Sequence, residues 1–356
     1  MYKFILYFLI IINSTIVCAN ELTSKELADA ALKIRQTFES QFYVLSPKVM
    51  GHYGLRMFRQ YGDADFKTSI WIDVVRNTNM LNKFNKSIRK ISDLHAFAIE
   101  FNKNFHDGDP VRNQLRLKTL SRMPEYRFIG NKAIQALARL DEYGLKYKHD
   151  DHIKKIILSQ NFKNYVLDKE MIRAWVAQLA NQVYWLKKLG IEDVTQEFIT
   201  TFKATYPDSL DAKLPGQQYR NKIYGMTHII FAASNYYQTP VKEADFQWIY
   251  DYFRKNIDTI LKRTKADVVA EVGIAFLLAN KNNDPVVKKT QEYIYNSIDK
   301  DKNMIPSVNG GFDLEYGEHR NVLAVMLLDW RGANARPTVK GDPAIFTDLP
   351  VELEPK

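Results

Sequence analysis

Apolar positions recur at three- and four-residue spacing over most of this chain, while strict alternation with turn dipeptides is missing. That spacing predicts helices throughout, so the expected fold class is all-α. Two kinds of helical segment are expected. Residues 225–238 exemplify the first: apolar nearly all round, with a polar cluster at the start, and so buried on most faces. Residues 245–262 and 284–298 exemplify the second, amphipathic and more charged. Strongly apolar segments centre on Arg56, Phe97, Ala138, Val183, Phe231, Phe276 and Met326, with gaps of 41 to 50 residues between successive centres.

One buried and one amphipathic helix per period makes a helical-hairpin repeat. Such hairpins build either a closed α/α toroid, with the apolar helices as an inner ring, or an open α-solenoid. An open solenoid leaves a solvated concave face on every repeat. Helices apolar around most of their surface therefore favour the toroid, closed by about six or seven hairpins. Runs of Pro, Gly or Ser that would mark a linker are absent, so residues 20–336 are expected to form one domain. Residues 337–356 carry four prolines and little periodicity and are expected to wrap the surface as an irregular tail.

Links from apolar to amphipathic helices look short. The return links, at 106–130, 205–224 and 299–317, look long and irregular. In an alternating ring those long links share one face, where binding and catalysis tend to sit. The starts of the apolar helices open there, and their free N–H groups favour anions.

The N-terminus changes the expected compartment. Lys3, the nine-residue apolar run 4–12 and Val17-Cys18-Ala19 read as a secretory signal peptide, 1–19, cleaved after Ala19. The run is too short to cross a bilayer, which takes about 20 residues. A lipid-modified Cys18 is the alternative, though Thr15, Ile16 and Val17 fit that pattern poorly. A periplasmic or secreted protein follows. Cys18 is the only cysteine, so the mature chain has no disulfide and no thiolate. The formal net charge is +9 and falls to +8 without Lys3. That excess suits an anionic glycan or other anionic ligand, or serves solubility alone. No Lys/Arg block resembles a nucleic-acid arm, and the mature chain has no transmembrane run.

Polar residues interrupt the greasy helices near their starts: His52, Tyr53 and Arg56; Asp93 and His95; Thr227 and His228; Asp267 and Glu271; Glu318, His319 and Arg320. A single histidine in such a helix is more often a hydrogen-bonded core residue. Repetition points instead to convergence at a common mouth. Histidine suits general acid or base work near neutrality. Asp267 and Glu271 stand at i and i+4 on one helix face. They either bracket a glycosidic bond together with a partner across the ring or simply complement the helix dipole. Three histidines and a glutamate have the donor types for zinc, yet the spacing carries no zinc motif, and no metal or cofactor is expected. A lyase acting on uronates needs a carboxylate neutraliser, for which Arg320 is placed, and a base, for which Tyr224 or His228 is placed. The expected catalytic set is His228, Glu271 and His319. The expected binding set is His52, Tyr53, Arg56, Tyr224, Asp267, Glu318 and Arg320. Aromatic and basic groups in the expected loops, among them Arg122, Tyr126, Arg127, Tyr219 and Arg220, either meet sugar rings or cover the core.

The segments Gly51-His52-Tyr53-Gly54-Leu55-Arg56, Tyr224-Gly225-Met226-Thr227-His228, Glu271-Val272-Gly273 and Glu318-His319-Arg320-Asn321 resemble those of an uncharacterised family of secreted gammaproteobacterial proteins, known as a domain of unknown function. The likeness covers most of the mature chain and implies no activity. The expected architecture is similar to that of the α/α-toroid glycoside hydrolases, polysaccharide lyases, terpene cyclases and lanthionine cyclases. An Asp-rich terpene-cyclase motif is missing, and a zinc set containing cysteine cannot form. The carbohydrate classes remain by analogy. The expected function is an envelope carbohydrate enzyme of the hydrolase or lyase kind; a non-catalytic ligand-binding or envelope-assembly protein is the alternative.

Overall fold

The computed structural model describes residues 22–356; the expected signal peptide lies outside the described residues. The chain is all-α. Helices α1 (Ser24–Glu39), α2 (Pro47–Tyr61), α3 (Lys67–Ser87), α4 (Ile91–Asn102), α5 (Pro110–Arg122) and α6 (Glu125–Phe128) come first. A π-helical stretch, Ile129–Ile134, joins α6 to α7 (Gln135–Glu142). Then follow α8 (Asp150–Leu158), α9 (Lys163–Leu167), α10 (Lys169–Lys188), α11 (Thr195–Thr205), α12 (Gly216–Ala233), α13 (Gln247–Arg263), α14 (Ala266–Leu278), α15 (Pro285–Asn296) and α16 (Leu314–Leu328). Strands β1 (Leu145–Tyr147) and β2 (Leu353–Pro355) pair antiparallel, Lys146 opposite Glu354.

Helix starts follow local chemistry. Ser46 caps α2 ahead of Pro47, and Asp109 and Asp284 cap α5 and α15 ahead of Pro110 and Pro285. Asp168 accepts from the backbone N–H groups of Glu170 and Met171, and Asp313 from that of Tyr316.

Two classes of helix are present. In α14 every residue from Val268 to Leu278 is buried, and in α16 every residue from Asn321 to Leu328. By contrast α13 buries Ile249, Tyr250, Phe253, Ile257 and Ile260, one stripe of an amphipathic helix. The packing partners run in sequence: α2 on α16, α16 on α14, α14 on α12, α12 on α10, and α10 on the π-helical stretch and α7. Helix α3 touches both α7 and α2. Helices α1, α11 and α15 lie against α16, α10 and α14.

Several expectations are corrected. The apolar segment around Phe97 is not a core helix: α4 buries only Leu94 and Ala98, and Ile99 is 49% exposed. Its run is too short to surround a helix with apolar contacts. Two of the expected long links are largely helical. Residues 106–130 contain α5 and α6, and α12 begins at Gly216 rather than Gly225. Arg122, Tyr126, Tyr219 and Arg220 are therefore helical. Residues 337–356 are irregular except for the 3-10 turn Pro343–Ile345 and β2, a strand the sequence pattern did not announce.

Candidate functional site

His52, Glu271 and His319 are each the sixth residue of their helices, α2, α14 and α16. His228 and Asn181 are each the thirteenth of α12 and α10, which start about two turns further out. The extra turns of α10 and α12 wall an outer cleft of about 580 Å³ with Ala174, Val176, Asn221 and Tyr224. Beneath it lies a chamber of about 340 Å³. Its lining comes from six helical stretches: His52 and Arg56 of α2; residues 130–139; Asn181 and Gln182 of α10; His228 of α12; Glu271 of α14; His319 of α16. Lys48, His52, Gln178, His228 and His319 line both spaces, so the histidines stand where cleft meets chamber.

Local backbone features shape these walls. The π-helical stretch adds a residue to one turn and presents Asn131 and Lys132 to the chamber; such bulges recur at functional sites. Helix α10 kinks at Trp175, which has non-helical φ/ψ of −136° and 21°. The carbonyls around the kink are used: Asn221 Nδ2 donates to Arg173 O at 2.7 Å and Arg116 Nε to Ala174 O at 3.1 Å. Gly225 lets α12 approach closely, for a Cβ there would lie 2.4 Å from Phe202 Cε2 and 2.6 Å from Val176 Cγ2.

Glu271 is the hub. Its Oε1 lies 3.6 Å from His228 Nε2 and 3.7 Å from His319 Nε2, and its Oε2 accepts from Thr227 Oγ1 at 2.6 Å. Burial alone would raise its pKa; the imidazoles of His228 and His319 outweigh that and hold it down at about 2. His228 Nδ1 faces Asn181 Oδ1 at 3.0 Å. A second pair stands beside the first: His52 Nδ1 lies 2.7 Å from Glu318 Oε1, and the rings of His52 and His319 are 5.5 Å apart. Burial, aided by the Arg56 guanidinium, lowers the His52 pKa to about 4. That leaves a neutral ring whose Nδ1–H donates to Glu318 and whose Nε2 keeps its lone pair. For His319, burial opposes charge, but Glu271 prevails and raises the pKa above its ordinary value. Burial pushes Glu318 up while His52 pulls it down further, so this carboxyl too lies below its usual range.

A family model described as Domain of unknown function (DUF3541) matches residues 27–356. The chain belongs to that family. No curated protein and no solved structure matches it. Membership of DUF3541 agrees with the resemblance carried by the segments around His52, His228, Glu271 and His319, and supplies no chemistry for them.

Of the residues expected at the site, His52, Arg56, His228, Glu271, His319, Glu318 and Tyr224 come together around the cleft and chamber. Three do not line them. Tyr53 is fully buried, its hydroxyl donating to Glu39 Oε1 at 3.1 Å, because its position on α2 turns it toward α1. Asp267 lies behind Tyr224, whose hydroxyl it accepts. Arg320 donates to the carbonyls of Ile305 at 2.8 Å and Tyr316 at 3.1 Å, which ties its guanidinium to main chain. His95 pairs with Glu125 on the surface. Tyr224 is no base: burial, and then Asp267, raise its pKa well above the ordinary phenol value. Lys132, Asn181, Gln182, Arg112 and Arg116 were missed. Asn181 carried a signal, a polar residue inside an apolar run; Lys132 carried none, since a π-bulge has no local sequence mark. Among the described residues no group of three His, Cys, Asp or Glu side chains is set to hold a metal ion, and no helix is long and apolar enough to cross a membrane.

Proposed function

We propose that this protein is an acid–base enzyme acting on an acidic carbohydrate outside the cytoplasm, by elimination rather than hydrolysis. The observation that carries the proposal is the pair of imidazoles 5.5 Å apart with pKa values moved in opposite directions, His52 down and His319 up. Groups driven apart in this way divide into base and acid. Hydrolysis by paired carboxyls asks for a carboxylic acid of raised pKa. Glu271 and Glu318 are both lowered, and each is engaged by imidazole. In this proposal they position the histidines and do not touch substrate.

Elimination fits such a pair. His52 Nε2 takes the proton from the sugar carbon next to the carboxylate. That electron pair becomes a carbon–carbon double bond, the adjacent bond to the glycosidic oxygen breaks, and His319 gives its proton to that oxygen. No water is consumed. Lys48 at the cleft, with Arg112 and Arg116 sharing the single carboxylate of Asp107, leaves positive charge that favours an anionic chain. His228, fixed by Asn181 and facing Glu271, acts as a positioning residue.

The same proposal includes a closed α/α ring with six inner stretches. Its support is the succession of packing partners leading from α2 through α16, α14, α12 and α10 to α7, together with a chamber lined from all six. The N-terminal leader pattern supports export to the periplasm or beyond.

The test is a screen of uronate-containing polysaccharides for unsaturated products. The wild type is expected to release them, and His52→Ala and His319→Ala to lose about 10²–10⁴-fold in turnover. Release of saturated ends would mean hydrolysis. Binding without turnover on any envelope glycan would favour a non-catalytic binder.

A further inference from the structure

Three positions on one face of α2 step inward a turn at a time: His52, Arg56 and Arg59. His52 stands at the mouth of the chamber and Arg56 in its wall. Arg59, 2% exposed, lies below and is satisfied on every side. It donates to Tyr236 O at 2.8 Å, Glu142 Oε2 at 3.0 Å and Arg336 O at 3.3 Å. Arg139 beside it holds Glu142 at 2.6 Å and Asp73 at 3.4 Å. The floor is thus a neutralised layer that closes the chamber.

The cations above the floor form no ion pair among the described residues, although Arg56 acts through space on Glu318 and helps to lower its pKa. Arg56 is 5% exposed. Its Nη1 donates to His52 O at 3.1 Å, and its guanidinium carbon lies 5.6 Å from the Tyr237 ring centre. Among the described residues it has no carboxylate in ion-pair contact, and its Nε has no partner. Lys132, in the same chamber, has no carboxylate partner either; burial first, and then the cations around it, lower its pKa. Buried charge normally has a counter-charge or a ligand. Gln182 gives its Nε2 to Asn131 Oδ1 at 2.7 Å, and its amide also acts on the buried hydroxyl of Tyr126. The chamber, lined by both cations, therefore has a place for one anion.

We infer that the chamber is a blind subsite for the terminal sugar acid of a glycan, its carboxylate held by Arg56 and Lys132. This deepens the acid–base proposal and rests on it only for turnover: a ligand whose charged end meets a closed floor enters end-on, and the scissile bond then lies at the level of the histidines. Binding does not need the reaction.

The experiment is calorimetric titration of the full chain with glucuronate and with glucose, on the wild type and on Arg56→Gln, Arg56→Lys and Lys132→Met. Glucuronate is expected to bind at least ten-fold more tightly than glucose. Arg56→Gln and Lys132→Met are each expected to weaken glucuronate ten-fold or more, and Arg56→Lys less. Equal affinity for the two sugars, or glucuronate affinity unchanged in Lys132→Met, overturns the inference. Lys132 is only partly buried, so that variant decides even where Arg56→Gln does not fold. Glucuronate binding that depends on Arg56, without turnover of any polysaccharide, would sink the acid–base proposal and leave the subsite standing. Turnover without monosaccharide binding would do the reverse.

Discussion

His52 and Glu318 are 266 positions apart in the chain, and Nδ1 of one lies 2.7 Å from Oε1 of the other. The contact closes α2 against α16 and selects which ring nitrogen of His52 keeps a lone pair. Glu318→Gln replaces the acceptor by an amide that can donate as well. The expected result is loss of the fixed tautomer, seen in ¹⁵N shifts of His52, and a fall in turnover of about 10²-fold with little change in KM. An unaltered tautomer together with unaltered turnover would sink this role.

Glu271 links stability to pH. Its folded-state pKa of about 2 lies below the ordinary 4.5, so its stabilisation is complete above 4.5 and is lost as pH falls through 2. The shift corresponds to about 3 kcal/mol at neutral pH. His319, raised by the same contact, expresses the same energy and is not counted again. His52 acts in the same direction as Glu271. Its folded-state value of about 4 lies below 6.5, so stability is lost as pH falls from 6.5 through 4. Urea unfolding from pH 7 to pH 3 is expected to show the wild type weakening steadily, with Glu271→Gln less stable at pH 7 and converging on it in acid. A gap that stays constant with pH would remove the linkage.

Gly225 tests the packing of α12. An alanine Cβ would press on the ring of Phe202 and on Val176, both buried and hemmed in. Overpacking costs about 1–3 kcal/mol, against a helix-propensity gain of about 1 kcal/mol. Gly225→Ala is expected to lower the urea midpoint and to shift Tyr224 and His228, the neighbours at the cleft. A midpoint equal to or above the wild type would show that α12 has room to move.

Why the histidines were legible and the cations only partly so has a physical reason. His52, Glu271 and His319 interrupt helices otherwise apolar all round, so each must meet a polar partner, and a common partner is economical. Arg56 obeys the same rule and was visible. Lys132 was not, because the π-helical stretch at Ile129–Ile134 changes which face it occupies, and periodicity read at 3.6 residues per turn misplaces it. The start of α12 was missed because Gln217, Gln218, Arg220 and Asn221 dilute the apolar spacing. They lie on a helix and not in a loop: Asn221 lines the cleft, and Asn221 and Gln218 brace the kink in α10 through Arg173 O. Arg320 fitted the site by spacing alone, and two main-chain carbonyls turned it away.

The C-terminal tail, irregular over most of its length, packs against the residues that build the floor. Phe346 is 5% exposed and packs 5.8 Å from the ring of Tyr143, whose hydroxyl donates to Asp73 Oδ2 at 2.8 Å. Asp73 also contacts Arg139, so the ring of Phe346 covers the network that neutralises the chamber floor. Removing a buried phenyl ring costs about 3–5 kcal/mol when the cavity stays open. Phe346→Ala is therefore expected to lower the urea midpoint substantially, and to admit water to Tyr143, read as faster exchange of the Val339 amide that donates to Tyr143 O at 2.8 Å. A midpoint within error of the wild type would show that residues 338–356 rest on the fold without holding it.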